Sequence, residues 1–239
     1  MKIKEIYEIL DSISPFELQE DWDNSGLLIG DFENEISKIY LTLDIDEELL
    51  EKVDKNSLII AHHPLIFKPL KNLIPSSFST KLAIKMIQKN ISFIAMHTNF
   101  DKTHLNKYVA EKVLGLKGES KDFIYSAEIN ESFDEFAKKV KSKLNLQSLK
   151  TVKCHENINS VSITTGAGIS LLPYVKTDLF LTGDIKYHEA MEAKIRGISL
   201  IDIGHFESEK FFVEALFEVL ELKTEIIKTN SKNPFLIIN

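Results

Sequence analysis

Cysteine is nearly missing from this 239-residue chain, with Cys154 the only one. One thiol cannot close an internal disulfide or build a cysteine zinc cage, and it fits a reducing compartment. Proline and glycine are sparse, six and nine residues, and no Pro/Gly-rich or low-complexity stretch marks a linker. No apolar run approaches the roughly 20 residues that a membrane-spanning helix needs. The opening stretch MKIKEIYEILD carries Glu5 and Glu8 where a signal peptide would be apolar. Positive charge is also short: 29 Lys and Arg against 36 Asp and Glu leave a net charge of -7. That balance argues against a general nucleic-acid binder, because phosphate contacts need Lys and Arg in surplus. A local basic strip would have to use Lys68, Lys71, Lys150 and Lys153. The expectation is a cytoplasmic protein with neither a membrane nor a nucleic-acid partner.

What is present is an ordinary globular balance, 44% hydrophobic and 27% charged, with fifteen Phe and one Trp. The length suits one large domain or two small interlocked ones with a Phe and aliphatic core. Six short apolar runs predict buried strands: Ile39–Leu43, Leu58–Ala61, Ser92–Met96, Val161–Thr164, Leu179–Leu181 and Ser199–Ile203. Several are continuous rather than alternating, as expected for strands covered on both faces. Helical spacing appears in the first 13 residues, from a Ser79 or Thr80 cap to about Lys89, over Asn106–Leu114, over Phe133–Leu144 behind Ser132, and over Lys210–Leu222. Strands alternating with helices predict an α/β fold, with mixed or mostly parallel sheets flanked by helices. The layout suggests two structurally duplicated repeats, approximately 1–125 and 126–239, in a single unit spanning 1–239.

Each predicted strand runs into polar residues, and ligand sites in open α/β sheets gather beyond the carboxyl ends of strands. His62 and His63 are adjacent at such an end, and Pro64 holds His63 extended, so their rings can diverge toward neighbouring metal positions. A chance surface pair is the competing account. HTNFD places His97 and Asp101 after the next strand; Asp101 is a candidate oxygen ligand or a helix cap. GHFESE places His205 and Glu209 four apart, sharing a helix face as ligands or as a solvated polar pair. Together these residues form a mixed nitrogen and oxygen set suited to two divalent ions. Asp184 and His188 are candidates for a supporting shell or for substrate contact, with a helix cap and a surface histidine as the competing account. Gly166-Ala167-Gly168 reads as a tight turn, with an anion cradle as the alternative. Trp22-Asp23-Asn24-Ser25-Gly26 reads as a turn into a short strand, with Trp22 partly buried in the core and, as the alternative, lining a pocket. His104 and His155 carry no helpful context.

The blocks WDNSGLLIG, IIAHHPLIF, HTNFD, LFLTGDIKYHEA and DIGHFESE resemble, in order, those of the NIF-three-like family. Bacterial members of that family carry the name GTP cyclohydrolase type two homolog. The resemblance runs from about Trp22 to about Leu216. It implies two intertwined α/β repeats and two divalent metal ions per chain. The ligands would be His62, His63, Asp101, His205 and Glu209, with Asp101 and Glu209 bridging. It also implies a ring-shaped homohexamer. Too few residues separate Leu116 from Val161 for the middle domain that longer members insert. Tyr187 stands where many relatives have another histidine.

The function these features predict is metal-dependent hydrolysis of a nucleotide or other phosphate-bearing metabolite, a small-molecule substrate. His97 would be a general base or a supporting group, and His188 would contact substrate or shuttle protons. The alternative is a non-enzymatic ring that binds or buffers metal or serves as an adaptor. The His/carboxylate set accepts Zn, Fe, Mn, Co or Ni alike.

Overall fold

In the computed structural model, which describes residues 1–236 and 238, all six predicted strands form, and they are the two sets of parallel strands around which the sheets are built. The strands in chain order are β1 (Gly26–Ile29), β2 (Lys38–Thr42), β3 (Leu58–Ala61), β4 (Ser92–Ala95), β5 (Gly118–Lys121), β6 (Ile124–Ser132), β7 (Lys150–Val152), β8 (Asn157–Ile163), β9 (Leu179–Thr182), β10 (Ser199–Asp202) and β11 (Glu225–Lys228). They form a five-stranded sheet, β1-β4-β3-β2-β11, and a six-stranded sheet, β5-β6-β8-β9-β10-β7. Both sheets are mixed and helices flank them. No helix among the described residues is long and apolar enough to cross a membrane.

The chain divides into two units of packing. The first comprises Met1–Phe100 and Phe212–Lys232; the second comprises Asp101–Phe211 and Asn233–Asn239. The repeats predicted near 125/126 are divisions of the sequence. The units of packing change over after Phe100, Phe211 and Lys232, so the segment Phe212–Lys232 belongs with the first unit.

In the first unit β2, β3 and β4 run parallel, β11 joins β2 in parallel, and β1 closes the far edge antiparallel to β4. β3 and β4 are buried at every position, which is why they lack alternation. Side chains alternate between sheet faces. Tyr40, Ile59, Ala61, Phe93 and Ala95 cluster with Leu49, Leu50 and Val53 and with Leu82, Ala83 and Met86. Those partners come from or adjoin the helices Glu47–Lys52 and Phe78–Gln88. Each large apolar side chain removed from water in this way contributes about 1.5–3 kcal/mol. The helix Phe78–Gln88 is capped two residues earlier than predicted. Ser77 Oγ accepts the Thr80 N–H at 3.3 Å, while Thr80 is buried one turn in. The amphipathic first helix, Ile3–Ile13, buries Ile3, Ile6 and Leu10 completely.

In the second unit β8, β9 and β10 are parallel, while β5, β6 and β7 pair antiparallel. The helix Phe133–Leu144 forms as predicted, with Ser132 Oγ accepting the Glu135 N–H at 3.3 Å. The helix predicted over Lys210–Leu222 is instead a five-residue helix, His205–Glu209, followed by Phe212–Val219. At the break, Lys210 Nζ donates to the Leu144 carbonyl at 2.9 Å.

Candidate metal centre

In the first unit the chain stays pinned beyond β3. The His62 N–H donates to the Thr42 carbonyl and the His63 N–H to the Leu43 carbonyl, each at 3.3 Å. This extends the ladder past the strand end and fixes both backbones. His62 is fully buried, and the two rings lie 4.9 Å apart. His97, two residues past β4, brings its ring to 5.1 Å from that of His62 and 5.5 Å from that of His63. Ring nitrogens of all three fall within 4.8 Å of one another.

The Nδ1 of each ring is already engaged by an oxygen. His62 Nδ1 meets the Met96 carbonyl at 2.9 Å, His63 Nδ1 meets Asp44 Oδ1 at 2.7 Å, and His97 Nδ1 meets Asp23 Oδ1 at 2.8 Å. A carbonyl or carboxylate oxygen accepts, so Nδ1 carries a proton, and whenever the ring is neutral its lone pair is on Nε2. Metal-binding histidines are oriented in this way, by an oxygen on the opposite nitrogen.

Asp23 is the most heavily engaged of these acceptors. Its side chain is 0% exposed. It takes hydrogen bonds from His97 Nδ1, the Thr98 N–H, the Thr98 hydroxyl and the Asn24 N–H. Burial pushes its carboxyl pKa up, but the His97 hydrogen bond and charge, with Thr98 and Asn24, outweigh burial and hold it well below the usual carboxylate range. Asp23 thereby caps the helical run that begins at Thr98. Trp22, predicted to be partly in the core, is 60% exposed and meets the His97 ring edge-on at 5.9 Å.

In the second unit Asp101 opens a five-residue π-helical turn, Asp101–Leu105, within a chain that stays helical from 98 to 113. Such turns recur at functional sites. Asp101 is therefore inside a helix rather than its cap. The run is anchored by Asn106, whose Oδ1 accepts the Thr165 N–H at 2.7 Å and the Thr165 hydroxyl at 2.8 Å. The next residue, Gly166, has φ +62°, and a Cβ there would overlap Glu209 Oε1. Glycine is required both by the backbone and by the room that carboxylate takes. The anion-cradle reading of this turn fails, because its amides are used internally. The Gly166 N–H donates to Ser208 Oγ at 3.0 Å and the Gly168 N–H to Thr182 Oγ1 at 2.8 Å.

Glu209 is 3% exposed. A carboxylate oxygen of Asp101 lies within 4.8 Å of one on Glu209. His205 Nε2 is 2.9 Å from Glu209 Oε2, and His205 Nδ1 is 2.8 Å from Asp184 Oδ2. Asp184 thus engages the His205 ring through Nδ1. His188 is exposed at the start of the helix Tyr187–Arg196, with its ring edge-on to Tyr187 at 5.3 Å. His155 points Nε2 at the Gly197 carbonyl, 2.7 Å away. His104 Nδ1 meets Thr103 Oγ1 at 2.8 Å, and burial lowers its pKa.

Each unit's set of donors suits a divalent ion. The first unit supplies imidazoles held with Nε2 as the basic nitrogen. The second supplies two carboxylates whose mutual repulsion a cation would relieve. Buried His and Glu groups that could hold a metal ion are therefore present. Asp23 and Asp44 are the residues that sequence reasoning missed. Asp44 left a trace as an acid directly after a strand; Asp23 left only the turn it sits in.

The chain matches the family model described as Duf34/NIF3 (NGG1p interacting factor 3) over residues 1–234. A Campylobacter jejuni protein named GTP cyclohydrolase 1 type 2 homolog is 50% identical, covering 98% of this chain and 99% of that one. A Helicobacter pylori protein named GTP cyclohydrolase 1 type 2 is 43% identical, covering 99% of each. Among solved structures, Staphylococcus aureus hypothetical protein SA1388 has a TM-score of 0.87 at 29% identity, covering 100% of this chain and 99% of that one. Reduced HcgD from Methanocaldococcus jannaschii has a TM-score of 0.81 at 27% identity, covering 95% and 97%.

Proposed function

This chain belongs to the DUF34/NIF3 family, and from that membership and its tethered histidines we propose that it is a dinuclear-metal-dependent hydrolase. His62, His63, Asp101, His205 and Glu209 would hold two divalent ions, with the carboxylates of Asp101 and Glu209 as bridges. Ions held this way lower the pKa of water and polarise an attacked oxygen. The protein's own contribution is orientation and proton handling. Met96, Asp44 and Asp184 fix the rings of His62, His63 and His205 through Nδ1. His97 has Nδ1 on the buried Asp23 and its lone pair on Nε2. That is the state in which an imidazole accepts a proton, its carboxylate partner stabilising the imidazolium formed. His97 would be the general base, and the exposed His188 would contact substrate. The observation that carries the reading is this Nδ1 engagement in His62, His63 and His97, which makes Nε2 the basic nitrogen of each neutral ring.

The substrate class is a nucleotide or another phosphate-bearing metabolite. GTP is the first to test, because the Helicobacter pylori relative is named for acting on it. Self-assembly, as a homohexamer, is part of the same proposal. The exposed Tyr187, Met191 and Ile195, four apart along one helix, support a contact between copies. A second reading is favoured by His97 itself, whose ring nitrogen groups with those of His62 and His63 and could be a ligand.

The test is consumption of GTP and simple phosphoesters by metal-loaded protein beside His97→Gln. Turnover in the parent, reduced roughly 100-fold or more in a variant of equal metal content, is the expected result for loss of a general base. Loss of metal in the variant makes His97 a ligand. No turnover of any of them would leave metal binding or buffering as the function.

A further inference from the structure

Three aromatic rings meet at the His97 end of the first unit, and two of them are turned toward water. Trp22 is 60% exposed and Phe67 is 45% exposed. Trp22 meets the His97 ring at 5.9 Å and Phe67 meets it at 5.7 Å, each with an interplanar angle of 80°. Large aromatic side chains left in water forgo the burial that normally stabilises them. Here they do so on backbone that is firmly braced. Asn24 Nδ2 donates to the Ile66 carbonyl at 2.6 Å, joining the turn that carries Trp22 to the loop that carries Phe67. Ser25 Oγ accepts the His97 N–H at 3.1 Å, and Asp23 holds the His97 ring. The segments that carry the two exposed rings are therefore tied to one another and to the backbone of the imidazole.

We propose that Trp22 and Phe67 form an aromatic rim beside His97 that binds the planar heteroaromatic ring of a ligand. Ring faces held by a braced backbone bind another π-system without having to be ordered first, and stacking accepts any base because each has a π-face. A nucleoside fits this chemistry and a sugar phosphate without a base does not. The proposal narrows the substrate class given above, and rests on that reading only for what happens to the ligand once bound.

Trp22 is the chain's one tryptophan, so its fluorescence reports on the rim directly. The protein as purified is titrated with guanosine, adenosine and ribose 5-phosphate, excited where nucleosides absorb little, and metal content is measured on the same samples. Saturable quenching by both nucleosides and none by ribose 5-phosphate is expected. Phe67→Leu should weaken nucleoside binding roughly tenfold, in line with loss of one stacking surface, with folding checked by an unchanged urea midpoint. Trp22→Leu, read by calorimetry, should weaken it to a similar degree. No saturable response to either nucleoside, equal quenching by ribose 5-phosphate, or unchanged affinity in both variants would overturn the rim. Metal retained without nucleoside binding removes the rim and leaves the metal centre standing. Nucleoside binding without metal does the reverse.

Discussion

The two units present their histidines under different constraints. In the first, His62 is fully buried, His97 is 9% exposed, and the Asp23 side chain that holds His97 is 0% exposed. In the second, the side chain of His205 is 37% exposed and that of its partner Asp184 is 57% exposed. The geometry of the hydrogen bond is the same, 2.8 Å in each case. What differs is how much else depends on it. A buried carboxylate with several donors is a structural part of its surroundings, and removing its charge leaves those donors without an ionic acceptor. An exposed carboxylate is replaced readily by water. The first unit thus ties the His97 imidazole to the fold, while the second orients its imidazole with a group the fold can spare.

The largest effect is expected at Asp23. Asp23→Asn should cost about 2–4 kcal/mol of unfolding free energy, measured in urea, through the charged hydrogen bonds and the cap at Thr98. Because the folded carboxyl pKa lies below its unfolded value, its stabilisation is present above about pH 4 and is lost as the pH falls further. The variant should therefore show a flatter acid limb, and an identical pH profile would remove the charge from the account. Gly166→Ala comes next. It forces a side chain into a φ of +62° and against Glu209, and should cost about 1–3 kcal/mol and displace that carboxylate, lowering metal affinity with it. Unchanged affinity would separate Glu209 from the centre. Asp184→Asn should change stability by less than about 1 kcal/mol while weakening metal binding roughly 10-fold or more. A stability loss as large as that of Asp23→Asn would break the contrast between the units. Cys154→Ser should be smallest. The Cys154 thiol reaches only the Ile198 carbonyl, at 3.5 Å, so metal content should be unchanged by elemental analysis.

The same contrast describes what could be read from the sequence. Six of the seven strands that pair in parallel fall on the predicted apolar runs, and Leu58–Ala61 matches its predicted limits because both faces are covered. β6 carries polar residues along nine positions, and β5 is exposed throughout. Such strands are specified by the partners they pair with rather than by their own pattern. β11 joins β2 from the far end of the chain, a pairing no local signal marks. At the candidate centre the histidines were legible because each follows a strand, and the family resemblance pointed to the same residues. The carboxylates that orient them were less so. Asp184 lies 21 residues from His205 but follows β9, the parallel neighbour of the strand that His205 follows. Asp23 lies 74 residues from His97, and a turn containing an aspartate does not say which ring it will hold. Trp22 was misread for a related reason. Aromatic residues are usually core, and exposure decided by tertiary context has no periodicity to reveal it.

The most direct test of the account is elemental analysis of protein purified without added metal or affinity tag, beside a His63→Ala/Asp101→Ala variant of the same fold by circular dichroism. The account predicts about two divalent ions per chain in the parent, the number proposed for this nitrogen and oxygen set, and their loss in the variant. A parent that binds none even after reconstitution, or a variant that keeps both, would contradict it.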